Sequence, residues 1–283
     1  MRIFFWIFIP IFILVLFVDW HDNDSKETSN NQSATAATTS PTPEAGGNPV
    51  NNCNTLGIEV HGELVTYLPE SSPFGNGDGE ETQTASDDVV ASIEQAQDDD
   101  SITAILLEVD SSGGSPVAGE EIANALKRSK KPAVVLIREM GLSAAYWAAT
   151  GAEKIFASEN SMIGSIGVRF SYLDAVEKNK KEGLTYNTLS TGKFKNIGDP
   201  DKPLTEEEKR FIQNDLNIIY KNFISAVAKN RKLDQKIVGK FADGSYLRGQ
   251  AAIKEGFIDE IGDIKTVEEY LFDKVLVYPE ICW

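Results

Sequence analysis

One serine is set apart by its surroundings. Ser143 lies in Met140-Gly141-Leu142-Ser143-Ala144-Ala145-Tyr146-Trp147, a small-residue turn with an apolar strand pattern before it and a helical pattern after it. A serine hydroxyl is a poor nucleophile until a positioned base takes its proton. The only histidines, His21 and His61, lie far upstream, and His21 falls in a low-complexity stretch. The expected base is therefore a lysine, since Ser-Lys pairs are a known alternative to the triad. Thr191-Gly192-Lys193-Phe194-Lys195 offers two. Residues two apart in an extended segment point the same way, so alternation does not separate Lys193 from Lys195. Any lysine serving as a base near pH 7 must be held well below the usual value of about 10.4 by burial and a suitable partner.

A second turn, Asp110-Ser111-Ser112-Gly113-Gly114, also leaves a strand pattern and enters a helical one. Backbone N–H groups at a helix start have no partners within the helix, so two such turns facing each other can hold an oxyanion. That combination is what acyl transfer requires. Gly141-x-Ser143 lacks the following glycine of a nucleophile elbow, so neither turn is diagnostic by itself.

The elements that must position these residues alternate between strand-like and helix-like patterns, which predicts an α/β domain. Strands are expected at Leu56 to Leu68, Ile102 to Val109, Ala133 to Ile137, Lys154 to Ala157, Ile163 to Val168, Leu184 to Ser190 and Val275 to Val277. Helices are expected from Asp87 to about Gln97, from Pro116 to Ser129, from near Ser143, and from Thr205; a small helical region ends at Gly262. Thr205 and Glu208 form a capping box, and Ile212, Leu216, Ile219, Phe223 and Val227 recur at helical spacing, so one face of that helix should be buried. Tyr146 and Trp147 read as core or pocket wall, and His61 as a structural residue of the first strand. The run Asp98-Asp99-Asp100 reads as a solvated helix end, since a metal site needs better-defined ligand spacing.

The first 52 residues carry different signals. Ile3 to Val18 is wholly apolar, preceded by Arg2 and followed by Asp19, Asp22 and Asp24. With Met1 and Trp20 at its ends it reads as a transmembrane anchor over residues 1–20, a single pass whose N-terminus is cytoplasmic and whose remainder is extracytoplasmic; a cleaved signal peptide is the competing reading, although no small-x-small cleavage site follows Val18. Residues 21–52 are rich in Ser, Thr, Asn, Asp and Pro and read as a flexible linker, leaving 53–283 as the folded domain. The formal charge of −16, from 43 acidic and 27 basic residues, argues against a nucleic-acid partner. The two cysteines, Cys53 and Cys282, stand at the ends of the folded part; a bridge would stabilise by roughly 4 to 5 kcal/mol in the chain-entropy view. Two such cysteines cannot form a zinc site, and neither metal nor cofactor is called for.

Four ordered motifs between about residues 56 and 265 resemble the SppA-type signal peptide peptidases, membrane-bound serine proteases of peptidase family S49. Asp110-Ser111-Ser112-Gly113-Gly114-Ser115 is similar to the family's Asp-Ser-Pro-Gly-Gly turn, and Ser143 falls at the nucleophile of its Ser-Gly-Gly-Tyr. Gly164-Ser165-Ile166-Gly167-Val168 resembles its Gly-Ser-Ile-Gly-Val, and Gly192-Lys193-Phe194-Lys195 its Gly-Lys-Tyr-Lys. Ala242-Asp243-Gly244, Gly249-x-x-Ala252 and Gly256-Phe257-Ile258-Asp259-Glu260-Ile261-Gly262 resemble its C-terminal signature.

The resemblance implies a ClpP/crotonase-like β-β-α superhelix domain, Ser143 as nucleophile, Lys195 as base, and Ser165 as the hydroxyl that orients it. The oxyanion donors would be Gly113 or Gly114 together with Ala144. It implies peptide substrates, chiefly signal peptide remnants, and a homo-octamer whose sites are completed by neighbouring protomers. Ser112 replaces a proline, and Ala144-Ala145 replace two glycines, which would be strained if either needed φ > 0. The alternatives are a catalytically impaired membrane-tethered scaffold, and a crotonase-like acyl-thioester enzyme, which extracytoplasmic placement disfavours.

Overall fold

The computed structural model describes residues 53–68 and 82–283. The anchor and linker expected over residues 1–52 lie outside the described residues. Among the described residues no helix is long and apolar enough to cross a membrane.

Two apolar runs, Ala104-Ile105-Leu106-Leu107 and Ala133-Val134-Val135-Leu136-Ile137, form the centre of a largely parallel sheet. They lie in β3 (Ala104–Gly114) and β4 (Ala133–Leu142), which pair in parallel from Ile105↔Ala133 to Val109↔Ile137. Such runs are apolar throughout because both faces of a central parallel strand are covered. β1 (Thr55–Val65) lies on the other side of β3, with β2 (Gln83–Ala85) beyond it. β5 (Lys154–Ala157) and β8 (Glu260–Ile261) extend the opposite edge, giving the order β2-β1-β3-β4-β5-β8.

Side chains alternate between the two faces with the strand period of two. Ile105, Leu107, Val109, Val135 and Ile137 pack in the larger core with α1 (Ser86–Asp98), α2 (Pro116–Arg128), α3 (Ala144–Ala149) and the second half of α5 (Glu206–Arg231). Ala104, Leu106, Val134 and Leu136 face the other way and meet Val267 and Leu271 of α8 (Ile264–Val275). β9 (Ile281–Cys282) adds to the start of β1, and a disulfide joins Cys53 to Cys282 across a sequence separation of 229.

β4 is longer than the sequence suggests. Its first half pairs with β5, while Met140–Leu142 pair with β6 (Met162–Gly164), which pairs antiparallel with β7 (Tyr246–Arg248). The sheet thus forks immediately before Ser143.

Four expectations are corrected. Leu184 to Ser190 forms no strand: Leu184 and Leu189 are exposed, and the segment pairs with no neighbouring strand among the described residues. Between β6 and α5 the only regular element is the short α4 (Val176–Lys181). Ile163 to Val168 is cut short because Ser165 turns to φ 51°, ending the pairing at Gly164. Val275 to Val277 is no strand, since a capping box of Asp263 and Thr266 starts α8, which continues to Val275 and ends at Leu276 in the left-handed region. The helical region near Gly262 is α7 (Gly249–Lys254), and Gly262 instead follows β8; α6 (Gln235–Lys240) precedes both.

Candidate active site

Ser143 lies between the end of β4 and the start of α3 with φ 51° and ψ −124°. A non-glycine residue in this region costs about 1–3 kcal/mol, so the surroundings must over-determine it. They do so on several sides. The Ser143 N–H donates to the Gly164 carbonyl at 2.7 Å, and its carbonyl accepts from Trp147 N at 3.0 Å. Ala144 and Ala145 are helical and buried, so the strain that alanine would carry at either position does not arise; the positive φ falls on Ser143 itself.

Gly113 meets this turn face to face. At φ 105°, a Cβ on Gly113 would stand 2.7 Å from Ser143 Cβ and 3.0 Å from Ala144 N, so only glycine permits the approach. Two bulges aim it there, one in β3 between Asp110 and Gly113, opposite Gly62 of β1, and one in β4 between Ile137 and Gly141, opposite Asp110 of β3. Ser111, a buried polar residue that the sequence did not single out, ties them together: its Oγ donates to the Gly62 carbonyl at 2.5 Å and accepts from Gly113 N at 3.1 Å. The Gly113 N–H is therefore engaged, while Gly114 is exposed and lines the cleft in front of Ser143.

Ser165 mirrors Ser143. Each follows a paired strand end, Leu142 and Gly164 being register partners, and each has φ 51°. Ser165 Oγ donates to the Gly244 carbonyl at 3.0 Å, and Gly244 N donates back to the Ile166 carbonyl at 3.1 Å. The Ala242-Asp243-Gly244 motif is thereby placed at the site.

A cleft of about 920 Å³ opens over these turns, lined by Gly113, Gly114, Ser143, Ala144 and Ser165. Its far wall is the middle of α5, through Gln213, Leu216, Asn217 and Tyr220. The apolar face of α5 is thus fully buried only from Phe223 onward; Ile212 remains partly exposed, as do Leu216 and Ile219 along the cleft. Trp147 stacks on Phe223 at 4.9 Å and closes the cleft floor. Periodicity identified the face of α5 but could not say that half of it borders solvent.

No lysine lines the cleft among the described residues. Lys195 lies exposed on the turn 191–199, between β6 and α5. Its neighbour Lys193 is occupied: Nζ pairs with Glu207 Oε1 at 2.5 Å and stands 5.8 Å from the Phe194 ring. Phe194 stacks on Phe211 at 4.8 Å, fixing the turn to α5. Lys195 has no ion-pair partner among the described residues. A single chain therefore brings Ser143, Gly113, Gly114, Ala144 and Ser165 together and leaves Lys195 outside the cleft lining.

His61 lies on β1 with Nε2 3.8 Å from Glu108 Oε1, away from the cleft lining. Asp98 ends α1, and Asp99 accepts from Ser101 N and Oγ.

A model of peptidase family S49 matches residues 125–277, from the end of α2 to beyond α8. A Clp protease model matches residues 78–164, which hold the sheet centre and both glycine-bearing turns, so the α/β fold is ClpP-like. A putative signal peptide peptidase SppA of Enterococcus faecium is 34% identical over 173 residues, covering 60% of this chain and 50% of its own. A putative protease of Methanocaldococcus jannaschii is 37% identical over 172 residues, covering 60% and 55%. Protease 4 of Haemophilus influenzae is 32% identical over 191 residues, covering 66% and 31%. The chain spans about half the length, or less, of these curated relatives. Among solved structures, a ClpP1 mutant of Listeria monocytogenes superposes with a TM-score of 0.47 at 16% identity, over 74% of this chain and 92% of that one.

Proposed function

The chain belongs to peptidase family S49, and on that footing we propose that it is a serine endopeptidase with a Ser143–Lys195 dyad, completed between protomers of a membrane-anchored homo-oligomer. The observation that carries this reading is the strained Ser143 turn packed against Gly113 and Gly114. Such a turn projects Oγ into the cleft and aims the first amides of α3 at the same point.

Ser143 Oγ attacks the scissile carbonyl while the neutral Lys195 amine takes its proton, and the resulting ammonium later protonates the leaving amine. The oxyanion is held by the Ala144 amide and the Gly114 turn, Gly113 N being engaged by Ser111. Ser165 suits an orienting role because its proton is already directed to Gly244, leaving Oγ lone pairs to accept from Lys195 Nζ. That interaction directs the nitrogen's own lone pair toward Ser143.

The lysine comes from a neighbouring protomer. The turn that carries it is exposed, Lys193 is held by Glu207, and the segment shows Phe170, Leu173, Leu184 and Leu189 to solvent, as an interface segment would in an isolated protomer. An octamer is the assembly that the family resemblance suggests. The apolar run Ile3 to Val18 supplies the membrane anchor, which places the domain outside the cytoplasm. The apolar side of α5 along the cleft favours hydrophobic segments, among which signal peptide remnants are the substrate class proposed.

The test is reaction of the full chain with a fluorophosphonate, together with hydrolysis of an unfolded protein such as casein. Wild type is expected to label at Ser143 and Ser143→Ala to stay unlabelled and inactive. A wild-type chain that neither labels nor cleaves overturns the peptidase reading in favour of a tethered scaffold.

A further inference from the structure

The buried phenol three residues after the nucleophile has no part in the mechanism above, yet it is wired to the far end of the domain. Tyr146 is fully buried, and its OH donates to the Phe257 carbonyl at 2.8 Å while the two rings stack at 5.8 Å. Burial holds the phenol well above its ordinary range, so it remains a donor at all working pH values. Phe257 belongs to the Gly256-to-Gly262 motif, and this segment is clamped on each side. Phe257 N donates to Ala252 O of α7 at 2.8 Å. Arg231, at the last turn of α5 and almost wholly buried, donates through Nε to the Gly256 carbonyl and through both terminal nitrogens to the Asp259 carboxylate at 2.8 and 2.9 Å. Asp259 in turn accepts from Ile155 N and donates its own N–H to Ile155 O, fastening the segment to β5.

We propose that Tyr146 is a positioning residue for Ser143, holding α3 against the Phe257 carbonyl so that the nucleophile turn keeps its strained geometry. The proposal rests on Ser143 being the nucleophile. α3 has only six residues, too short to hold its own orientation through backbone hydrogen bonding. Above it, Gly164 fixes the Ser143 amide; below it, Tyr146 is the residue within α3 whose side chain hydrogen-bonds a rigid support, while Asn230 Nδ2 donates to Oγ of the C-cap Thr150 at 2.9 Å. If the lower tie is cut, α3 can rotate toward a relaxed Ser143, displacing Oγ and the Ala144 amide together. Since both act on the reacting carbonyl, such displacement slows acylation and leaves the substrate-contacting wall of α5 unchanged.

The experiment compares Tyr146→Phe with wild type in the full chain, measuring the fluorophosphonate acylation rate, kcat and KM on a peptide, and amide hydrogen exchange in α3. Leu271→Val, a cavity in the separate core beneath α8, serves as a control for lost stability alone. The expected result is a fall in acylation rate and kcat on the order of ten-fold, with KM within about two-fold and faster exchange of the α3 amides. Leu271→Val keeps the wild-type acylation rate. Equal slowing in both variants, or a wild-type rate in Tyr146→Phe, overturns the proposal. If Tyr146→Phe does not accumulate folded, Arg231→Lys breaks the fork to Asp259 that clamps the segment carrying the Phe257 carbonyl; unchanged acylation and α3 exchange there overturn it, and slowed acylation with unchanged KM supports it. A wild type that does not label defeats the peptidase reading, whereas α3 exchange still reports whether Tyr146 holds the helix, so the two failures are separable.

Discussion

The nucleophile side and the base side of the proposed dyad are built in opposite ways. Ser143, Gly113 and Ser165 sit where strands end at a fork in the sheet, and neighbouring backbone or buried side chains determine each of them. Lys195 sits on an exposed turn within residues 165–205, a stretch with one short helix and no side chain in the core apart from Ile166 and Leu204. The contrast teaches that strain can be stored only where packing is complete, so the proposed nucleophile turn is held by its own chain. In the proposed dyad an exposed cation is instead delivered by a neighbour and becomes a base only when burial there desolvates it.

The largest expected effects break the two sides separately. Lys195→Ala should lower kcat by roughly a thousand-fold or more, as should Ser143→Ala, while Lys193→Ala keeps most activity because Lys193 is committed to Glu207. Mixed oligomers of the Ser143→Ala and Lys195→Ala chains should recover part of the activity if the dyad is shared between protomers. No recovery on co-assembly would place both residues in one chain. A Lys193→Ala chain that is inactive while Lys195→Ala is active would reassign the base.

Next in size is Gly113→Ala. The new methyl must occupy space 2.7 Å from Ser143 Cβ at a φ of 105°, so peptide hydrolysis should fall about a hundred-fold, with the loss concentrated in kcat. Gly183→Ala, also at positive φ but with open space around it on the base side, should lose only about 1 kcal/mol of stability in a urea titration.

Removing the disulfide by Cys53→Ser with Cys282→Ser should lower stability by up to about 5 kcal/mol in the chain-entropy view. Thermal denaturation should show a fall on the order of 10 °C, with acylation at 25 °C preserved because the bridge lies away from the cleft.

The smallest effect expected concerns pH. Glu208, at the start of α5, is held down to about 2 by Lys202 and by Thr205 of the capping box, against 4.5 for a free side chain. Its contribution to stability is complete above pH 4.5 and disappears as pH falls through about 2. In Glu208→Gln the decline of Tm across that window should be shallower than in wild type. An identical slope would show that this pair does not hold the helix carrying both the cleft wall and the Phe194 contact.

Much of the nucleophile side was readable in the sequence, because its signals are local. The apolar runs entering each turn and the Thr205–Glu208 capping box act through near neighbours. The base side misled: Leu184 to Ser190 alternates like a strand, yet a strand also needs an edge to pair with, and that is a property of the surroundings. The apolar stripe of α5 likewise announced a buried face without showing that Leu216 and Ile219 would border a cleft. The hydrogen bonds of Ser111 and of Tyr146, the latter read only as core or pocket wall, were not legible because their partners, Gly62 and Phe257, lie 49 and 111 residues away.

The sequence by itself determined the α/β character, the family, and which serine stands on a turn able to present it, since strand period, turn residues and motif order are all encoded over short spans. Only the tertiary structure decided that the positive φ falls on Ser143 and not on Ala144 or Ala145, that Gly113 must be glycine because another turn presses on it, and that no lysine among the described residues lines the cleft. These outcomes depend on contacts between residues far apart in sequence, and such contacts come into being only when the sheet assembles and forks.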